Sequence, residues 1–132
     1  MQSFFLPMIP PTKTQQQHRL GVTKGGKPFV YNDAELMAAK AKLKDNLAAH
    51  VPEEMFTCPV RLVVKWCFPV TSKHKNGEYK GTKPDTDNLQ KMLKDIMTEL
   101  HFWKDDALVA SEIVEKFYAD IPGIFIAVTE AE

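Results

Sequence analysis

The chain has 132 residues, enough for one domain with its own core and too few for separate catalytic and targeting modules. It lacks the run of roughly 18 or more apolar residues that a membrane span requires, and its start has no basic segment and is broken by Pro7, so we expect a soluble, cytoplasmic protein without a secretory signal. The net charge is zero, which by itself argues mildly against nucleic-acid binding, and two cysteines are too few for a disulfide scaffold.

The zero net charge hides a strong asymmetry along the chain. Residues 1–84 hold 13 Lys and Arg against 6 Asp and Glu, a balance of +7, whereas residues 85–132 hold 4 against 11, a balance of −7. Composition alone leaves open whether this is a chance segregation of solvated faces or a functional separation of a basic from an acidic region.

Three strands and a helix are predicted in the first half of the chain. Residues 4–9 are aromatic and apolar and end at two prolines, which indicates a strand. Residues 20–22 and 29–31 flank Gly25-Gly26, the pattern of a hairpin with a glycine turn and a basic tip. Leucines at helical spacing predict a first helix over residues 33–49.

A β-branched run between prolines predicts a central strand over residues 59–69, flanked by Cys58 and containing Cys67, both expected to be reduced core residues. Residues 70–83 are basic and poor in apolar positions and indicate a long, mobile loop. Apolar residues from Leu89 to Leu100 follow the spacing of an amphipathic helix. Residues 113–118 and 124–128 predict two strands joined as a closing hairpin.

This order of elements, βββ-α-β-α-ββ, predicts a single α+β domain over residues 1–132, with a mixed or antiparallel sheet packed against two main helices.

The region around the second predicted helix is dense in aspartate. One aspartate of the pair Asp85 and Asp87 could serve as a helix cap worth about 1 kcal/mol, but capping explains only one of the two. Asp87, Lys91 and Asp95 are spaced i, i+4 and i+8, which predicts one stripe on the face away from the leucines. Surface ion pairs of about 0.3–0.5 kcal/mol each would also account for this stripe.

Carboxylate oxygens of this density suit a hard cation. Magnesium takes oxygen ligands and is usually held by one or two carboxylates together with substrate phosphates. A calcium EF-hand is disfavoured because the D-x-D-N sequence lacks the glycine and the glutamate of that loop. Zinc is disfavoured because the four histidines are scattered and the cysteines lack ligand spacing.

Two segments carry a resemblance to a known family. D-x-D-N-x-x-K followed by F-W-x-D-D is similar to the signature of RusA-type Holliday-junction resolvases, and the strand that ends at Pro10-Pro11 and the element order agree more loosely. The segments that carry it are Lys83-Pro84-Asp85-Thr86-Asp87-Asn88-Leu89-Gln90-Lys91, the aspartate at 95, and Phe102-Trp103-Lys104-Asp105-Asp106-Ala107-Leu108-Val109.

The resemblance implies a RusA-like homodimer that binds four-way DNA junctions and cuts two opposed strands symmetrically, in recombination and repair in a bacterial or phage-infected cell. It implies a Mg²⁺ cofactor, with Mn²⁺ as an alternative ion. Asp85 and Asp87 match the paired catalytic aspartates, Asp106 the third carboxylate and Lys91 the motif lysine. The implied metal ligands are Asp85, Asp87, Asp106 and its neighbour Asp105. The chain departs from the family at His101, where glycine is usual before Phe-Trp.

Magnesium held by these aspartates would activate a water and stabilise the leaving 3′-oxygen, while Lys91 faces the developing charge. The helix from Leu89 to Leu100 rises roughly 17 Å and the chain from Leu100 to Asp106 reaches at most about 20 Å. We therefore predict that Asp106 completes the metal site of a partner subunit, or that the two chains converge at their interface.

Basic residues in segments with little core pattern are predicted to contact DNA phosphates. They are Lys13, Arg19, Lys24, Lys27, Lys73, Lys75, Lys80 and Lys83. Phe102 and Trp103 are interpreted as core residues in preference to a junction wedge. Two alternatives remain: a less selective Mg²⁺ nuclease on branched DNA, and a catalytically inactive DNA-binding dimer.

Overall fold

A computed structural model describes residues 1–14, 18–22, 28–32 and 34–131. The predicted order of elements is confirmed. The strands are β1 (Gln2–Leu6), β2 (His18–Val22), β3 (Pro28–Asn32), β4 (Val60–Pro69), β5 (Val109–Ala119) and β6 (Gly123–Glu130), and the helices are α1 (Ala34–Ala48) and α2 (Thr86–Glu99), with a 3₁₀ turn at Asp106–Leu108. β1 ends earlier than predicted, because Pro7 has no amide hydrogen to continue the ladder.

β2 and β3 pair antiparallel, as the predicted hairpin requires. Its turn, with Lys24 and Lys27, lies outside the described residues.

The remaining four strands form a mixed sheet in the order β1-β6-β4-β5, as the predicted fold class allows. β4 runs parallel to β5 and antiparallel to β6. Alternate side chains of β4 are fully buried, because successive residues of a strand point to opposite faces. The buried set, Val60, Leu62, Val64, Trp66 and Phe68, forms the centre of the core.

The predicted closing hairpin between the last two strands is wrong, because β4 lies between β5 and β6. Two strand spacings amount to about 10 Å, and the four steps from Ala119 to Gly123 span up to about 13 Å. The short connection can therefore cross the end of β4. β6 gains two hydrogen-bonded neighbours and buries Ile124, Ile126 and Val128.

Both helices contribute to one core together with the sheet. α1 buries Leu36, Leu43 and Leu47, and α2 buries an apolar face that extends from Leu89 to Met97. Phe102 and Trp103 are fully buried, which confirms their interpretation as core residues. None of the helices in the described part of the chain is long and apolar enough to cross a membrane.

The two cysteines are free, but neither is fully buried, so their assignment to the core is wrong. Cys67 alternates with the buried side chains of Trp66 and Phe68 and therefore lies on the opposite face of β4. Burial on that face raises the pKa of the Cys67 thiol, and Lys65 opposes this shift.

The C-terminus of α2 closes in a Schellman motif. The amide of Phe102 donates to the carbonyl of Met97 (3.0 Å), and that of His101 donates to the carbonyl of Thr98 (3.1 Å). His101 has a φ of 65°, the left-handed conformation that glycine adopts most easily. The chain therefore has histidine at a position whose backbone conformation favours glycine.

Replacing His101 by glycine is expected to stabilise the protein. A left-handed conformation costs an L-residue about 1–2 kcal/mol, and glycine removes this cost from the folded state. Glycine also raises the entropy of the unfolded chain, which offsets about 0.4–1 kcal/mol of the stabilisation. His101→Gly should therefore raise the free energy of unfolding in urea by roughly 0.5–1 kcal/mol. His101→Ala keeps the strained backbone and is the control; an equal gain in both variants would assign the effect to loss of the imidazole.

Candidate active site

An open cavity of about 430 Å³ lies beside α2. α2, the 3₁₀ turn and β5 provide its walls. Its lining residues are Thr86, Asp87, Gln90, Lys91, Lys94, Asp106, Glu112 and Val114.

The lining residues of α2 differ from the predicted stripe. At 3.6 residues per turn, position i+7 deviates from position i by about 20°, whereas i+8 deviates by about 80°. Lys94 therefore faces the cavity together with Asp87 and Lys91, while Asp95 lines a separate groove between α1 and α2. Asp95 remains within ion-pair distance of Lys91 (3.6 Å).

Asp85 occupies the N-cap position of α2 without capping it. Its backbone is extended, and within residues 34–131 its side chain makes no capping hydrogen bond. A side-chain capping bond therefore does not account for Asp85. Asp85 does not line the cavity as defined above.

Lys116 of β5 ties down the segment that precedes Asp85. Its ammonium donates to the carbonyls of Thr82 (2.7 Å) and Pro84 (2.8 Å). Burial lowers the pKa of Lys116, Lys80 lowers it further, and the negative charge of Asp85 opposes both effects. Lys116 thus holds the backbone next to Asp85 against the sheet.

The adjacent aspartates at the 3₁₀ turn have different surroundings. Asp105 caps the turn, since its Oδ1 accepts a hydrogen bond from the amide of Ala107 (3.1 Å). Asp106 begins the turn and lines the cavity. Of the two neighbouring aspartates, both of which are predicted metal ligands, only Asp106 thus lies in the cavity wall.

Asp87 and Asp106 of one chain line the same cavity, so a partner subunit is not needed to bring them to it. The chain reverses direction at the Schellman motif, and the cavity extends along α2 from Thr86 as far as Lys94, so Asp106 can line it without reaching the first residue of the helix. This arrangement removes the distance-based reason for assigning Asp106 to a partner's site.

Comparison with known proteins identifies the family. The family described as Endodeoxyribonuclease RusA matches residues 9–129. The crossover junction endodeoxyribonuclease rusA of Lactococcus phage r1t is 30% identical over 119 residues, covering 89% of this chain and 88% of the relative. The uncharacterised protein YqaN of Bacillus subtilis (strain 168) is 31% identical over 121 residues, covering 83% and 84%.

The chain belongs to the RusA family. The resemblance carried by the D-x-D-N-x-x-K and F-W-x-D-D segments is confirmed.

The four predicted metal ligands, Asp85, Asp87, Asp105 and Asp106, are not gathered into one cluster in this single chain. Within the described ranges, no three His, Cys, Asp or Glu side chains are grouped closely enough to hold a metal ion. Magnesium commonly keeps several waters and takes one or two carboxylates plus substrate phosphates. Asp87 and Asp106 both line the cavity of this RusA-family protein, and their carboxylate oxygens are of the type that such an ion takes.

Five lining residues are not among the predicted site residues, and three of them, Gln90, Lys94 and Glu112, are joined by hydrogen bonds. Gln90 and Lys94 lie at i+3 and i+7 from Asp87, a spacing that could have indicated them. Glu112 has no such signal, because only the register of β5 beside α2 places it at the cavity.

The predicted DNA contacts differ in their exposure. Lys73, Lys75 and Lys83 are exposed, and the described part of the chain offers them no ion-pair partner. The Lys80 ammonium lies 5.2 Å from the ring centroids of both Phe68 and Tyr118.

The other predicted DNA contacts lie towards the N-terminus. Lys13 lies 3.9 Å from a carboxylate oxygen of Glu35. Arg19 lies on β2, but its side chain, like Lys24 and Lys27, lies outside the described residues.

The basic loop is held to the sheet more closely than expected. Amides of Gly77 and Lys80 donate to carbonyls of β5, and the amide of Tyr118 donates to the carbonyl of Glu78. Residues 77–80 therefore follow the outer edge of β5.

Lys116→Met is expected to release the segment before Asp85. Each hydrogen bond contributes about 0.5–1.5 kcal/mol, so the free energy of unfolding should fall by roughly 1–2 kcal/mol. Amide exchange at residues 82, 83 and 85–87 should accelerate more than exchange in α1. Lys104→Met, at an exposed lysine, is the matched control; unchanged exchange near Asp85 in Lys116→Met would contradict the anchoring role.

Proposed function

We propose that this protein is a Mg²⁺-dependent endodeoxyribonuclease that resolves four-way DNA junctions by paired symmetric cleavage in recombination and repair. The observation that carries the proposal is that Asp87, Lys91 and Asp106, which match the RusA motif, line one open cavity in a single chain. The name of the phage relative, a crossover junction endodeoxyribonuclease, supports the substrate.

Asp87 and Asp106 would hold the ion, and Asp85 would join them from the start of α2, where capping does not occupy its carboxylate. When bound, Mg²⁺ or Mn²⁺ supplies Lewis-acid stabilisation of the phosphate and a water of lowered pKa. The phosphate would complete the coordination that the protein leaves open. Asp105 accepts a hydrogen bond from the backbone of the 3₁₀ turn, so it would influence the ion only by fixing the position of Asp106.

Lys91 would neutralise charge on the phosphate as cleavage proceeds. Its side chain is 61% exposed and its contact with Asp95 (3.6 Å) is a solvent-exposed ion pair. Such pairs are worth about 0–1 kcal/mol, so the ammonium can exchange Asp95 for a phosphate oxygen at little cost.

Two symmetric cuts require two active sites in a two-fold arrangement, and a homodimer provides them. Lys73, Lys75 and Lys83 would contact phosphates of the junction arms, since they are exposed in the loop that leads to Asp85. We place this activity in the cytoplasm, with the DNA substrate.

Asp87→Asn and Asp106→Asn are each expected to lower the rate of cleavage strongly while the fold is retained. Both changes keep the size of the side chain and remove a charge from the cavity, and loss of one such electrostatic contribution lowers turnover by about 10²–10³-fold. Asp95→Asn is the matched control, since this aspartate lies in the groove between the helices. Cleavage of a labelled four-way junction is the measurement.

The same assay tests the substrate. The wild-type protein should cut a synthetic four-way junction with Mg²⁺ and leave linear duplex intact, and chelation should stop cleavage. Equal cleavage of flapped and four-way DNA would show a less selective nuclease instead. If the protein binds the junction but does not cleave it with any divalent ion added, it is a catalytically inactive DNA-binding protein.

Lys91→Ala is expected to lower turnover more than junction binding. A positioned cation is worth most in the transition state, so kcat should fall at least about tenfold while the dissociation constant changes little. Lys104→Ala, at an exposed lysine outside the cavity wall, should change neither. Equal losses in kcat and binding would assign Lys91 to ground-state binding.

A further inference from the structure

A chain of hydrogen bonds leads from the core to the cavity. The indole N–H of Trp66 donates to Oε1 of Gln90 (2.8 Å), and both side chains are buried. Nε2 of Gln90 donates to Oε2 of Glu112 (2.8 Å). Oε1 of Glu112 accepts from the ammonium of Lys94 (3.3 Å). Four side chains from β4, α2 and β5 are thus linked in series.

The direction of this chain is fixed by chemistry. An indole N–H can only donate, so the Gln90 amide must turn its oxygen to Trp66 and its NH₂ group to Glu112. Glu112 must then accept, and its second oxygen is taken by Lys94. Each oxygen of Glu112 therefore already accepts one hydrogen bond, and one of these bonds holds Lys94.

Lys94 is held more firmly than Lys91. Its side chain is 24% exposed, compared with 61% for Lys91. Lys91 pairs with Asp95 one turn further along its own helix, whereas Lys94 is held from β5 by Glu112. A side chain already restrained by its surroundings loses less rotamer entropy when it binds a ligand.

Lys94 also has the donors that a phosphate needs. An ammonium has three N–H donors, and Glu112 takes one of them in this structure. The cavity wall contains three carboxylates and two lysines, a balance of −1, so a phosphate that approaches needs both cations as well as the metal.

We propose that Lys94 is a second phosphate-binding cation of the cavity, and that Glu112 and Gln90 are positioning residues that hold it there. The proposal rests on the proposed function, since its ligand is a backbone phosphate of the bound DNA next to the one that is cleaved. Lys94 binds this phosphate and thereby aligns the strand over Asp87 and Asp106.

Salt dependence of DNA binding tests the phosphate contact without relying on cleavage. Binding of a labelled four-way junction is measured in chelator between 50 and 200 mM NaCl for wild type, Lys94→Met, Lys94→Arg and Lys42→Met. Each phosphate contact contributes about 0.9 to the slope of log K against log salt, so Lys94→Met should lower the slope by about one. Lys94→Arg should retain the slope, and Lys42→Met, at an exposed residue of α1, should not change it. An unchanged slope in Lys94→Met would overturn the proposal.

A double-mutant cycle tests the positioning role of Glu112. Glu112→Ala should lower kcat about tenfold while junction binding is retained or strengthened, because a negative charge leaves the cavity. Adding Lys94→Met to Glu112→Ala should lower kcat no further than Lys94→Met alone, since Glu112 acts through Lys94. Additive losses, or a raised Mg²⁺ requirement in Glu112→Ala, would overturn this role and make Glu112 a metal ligand.

The two proposals can fail separately. If the wild-type protein cuts junctions and Lys94→Met is unchanged in salt slope and turnover, only the role of Lys94 is lost. If the wild-type protein cuts no branched DNA, the proposed function is lost, while the salt slope still decides whether Lys94 contacts phosphate.

Discussion

Strand β5 runs parallel to β4, with Val63 opposite Ile113 and Val64 opposite Val114. Parallel neighbours require a crossover, and here it contains the basic loop, α2 and the 3₁₀ turn. β5 thereby comes to lie beside α2 with Glu112 and Lys116 directed at the helix and at the segment before it. The cavity, the anchor next to Asp85 and the support of Lys94 all depend on this one parallel pairing.

Local sequence patterns specify the elements but not their neighbours. The spacing of apolar residues from Leu89 to Leu100 predicts α2 because the period of a helix is a local property. Whether β6 pairs with β5 or enters between β1 and β4 is decided by long-range burial, and the sequence near Pro122 fits both outcomes. For the same reason the motif indicates Asp87 and Asp106, but Glu112 can be identified as a cavity residue only when the register of β5 is known.

Gln90 is a polar residue whose burial the sequence pattern does not indicate. A glutamine between Leu89 and Lys91 fits the solvated face of a helix, yet its side chain is only 3% exposed. Burying an amide without hydrogen-bond partners costs roughly 1–3 kcal/mol in proteins, so the environment of Gln90 must provide both a donor and an acceptor. Trp66 and Glu112 provide them, and within the described ranges no buried side-chain nitrogen or oxygen lacks a partner.

The basic and the acidic regions of the sequence contact each other at β5. Residues 77–80 of the basic loop lie along its outer edge, and the hydroxyl of Tyr79 donates to Glu115 of the acidic region (2.9 Å). Lys116, in the acidic region, binds backbone carbonyls of the basic one. The two regions therefore meet along one strand instead of forming separate faces. Exposed lysines of the loop and carboxylates of the acidic region thus lie near the same strand, and the proposed function would use the lysines for the phosphodiester and the carboxylates for the metal ion.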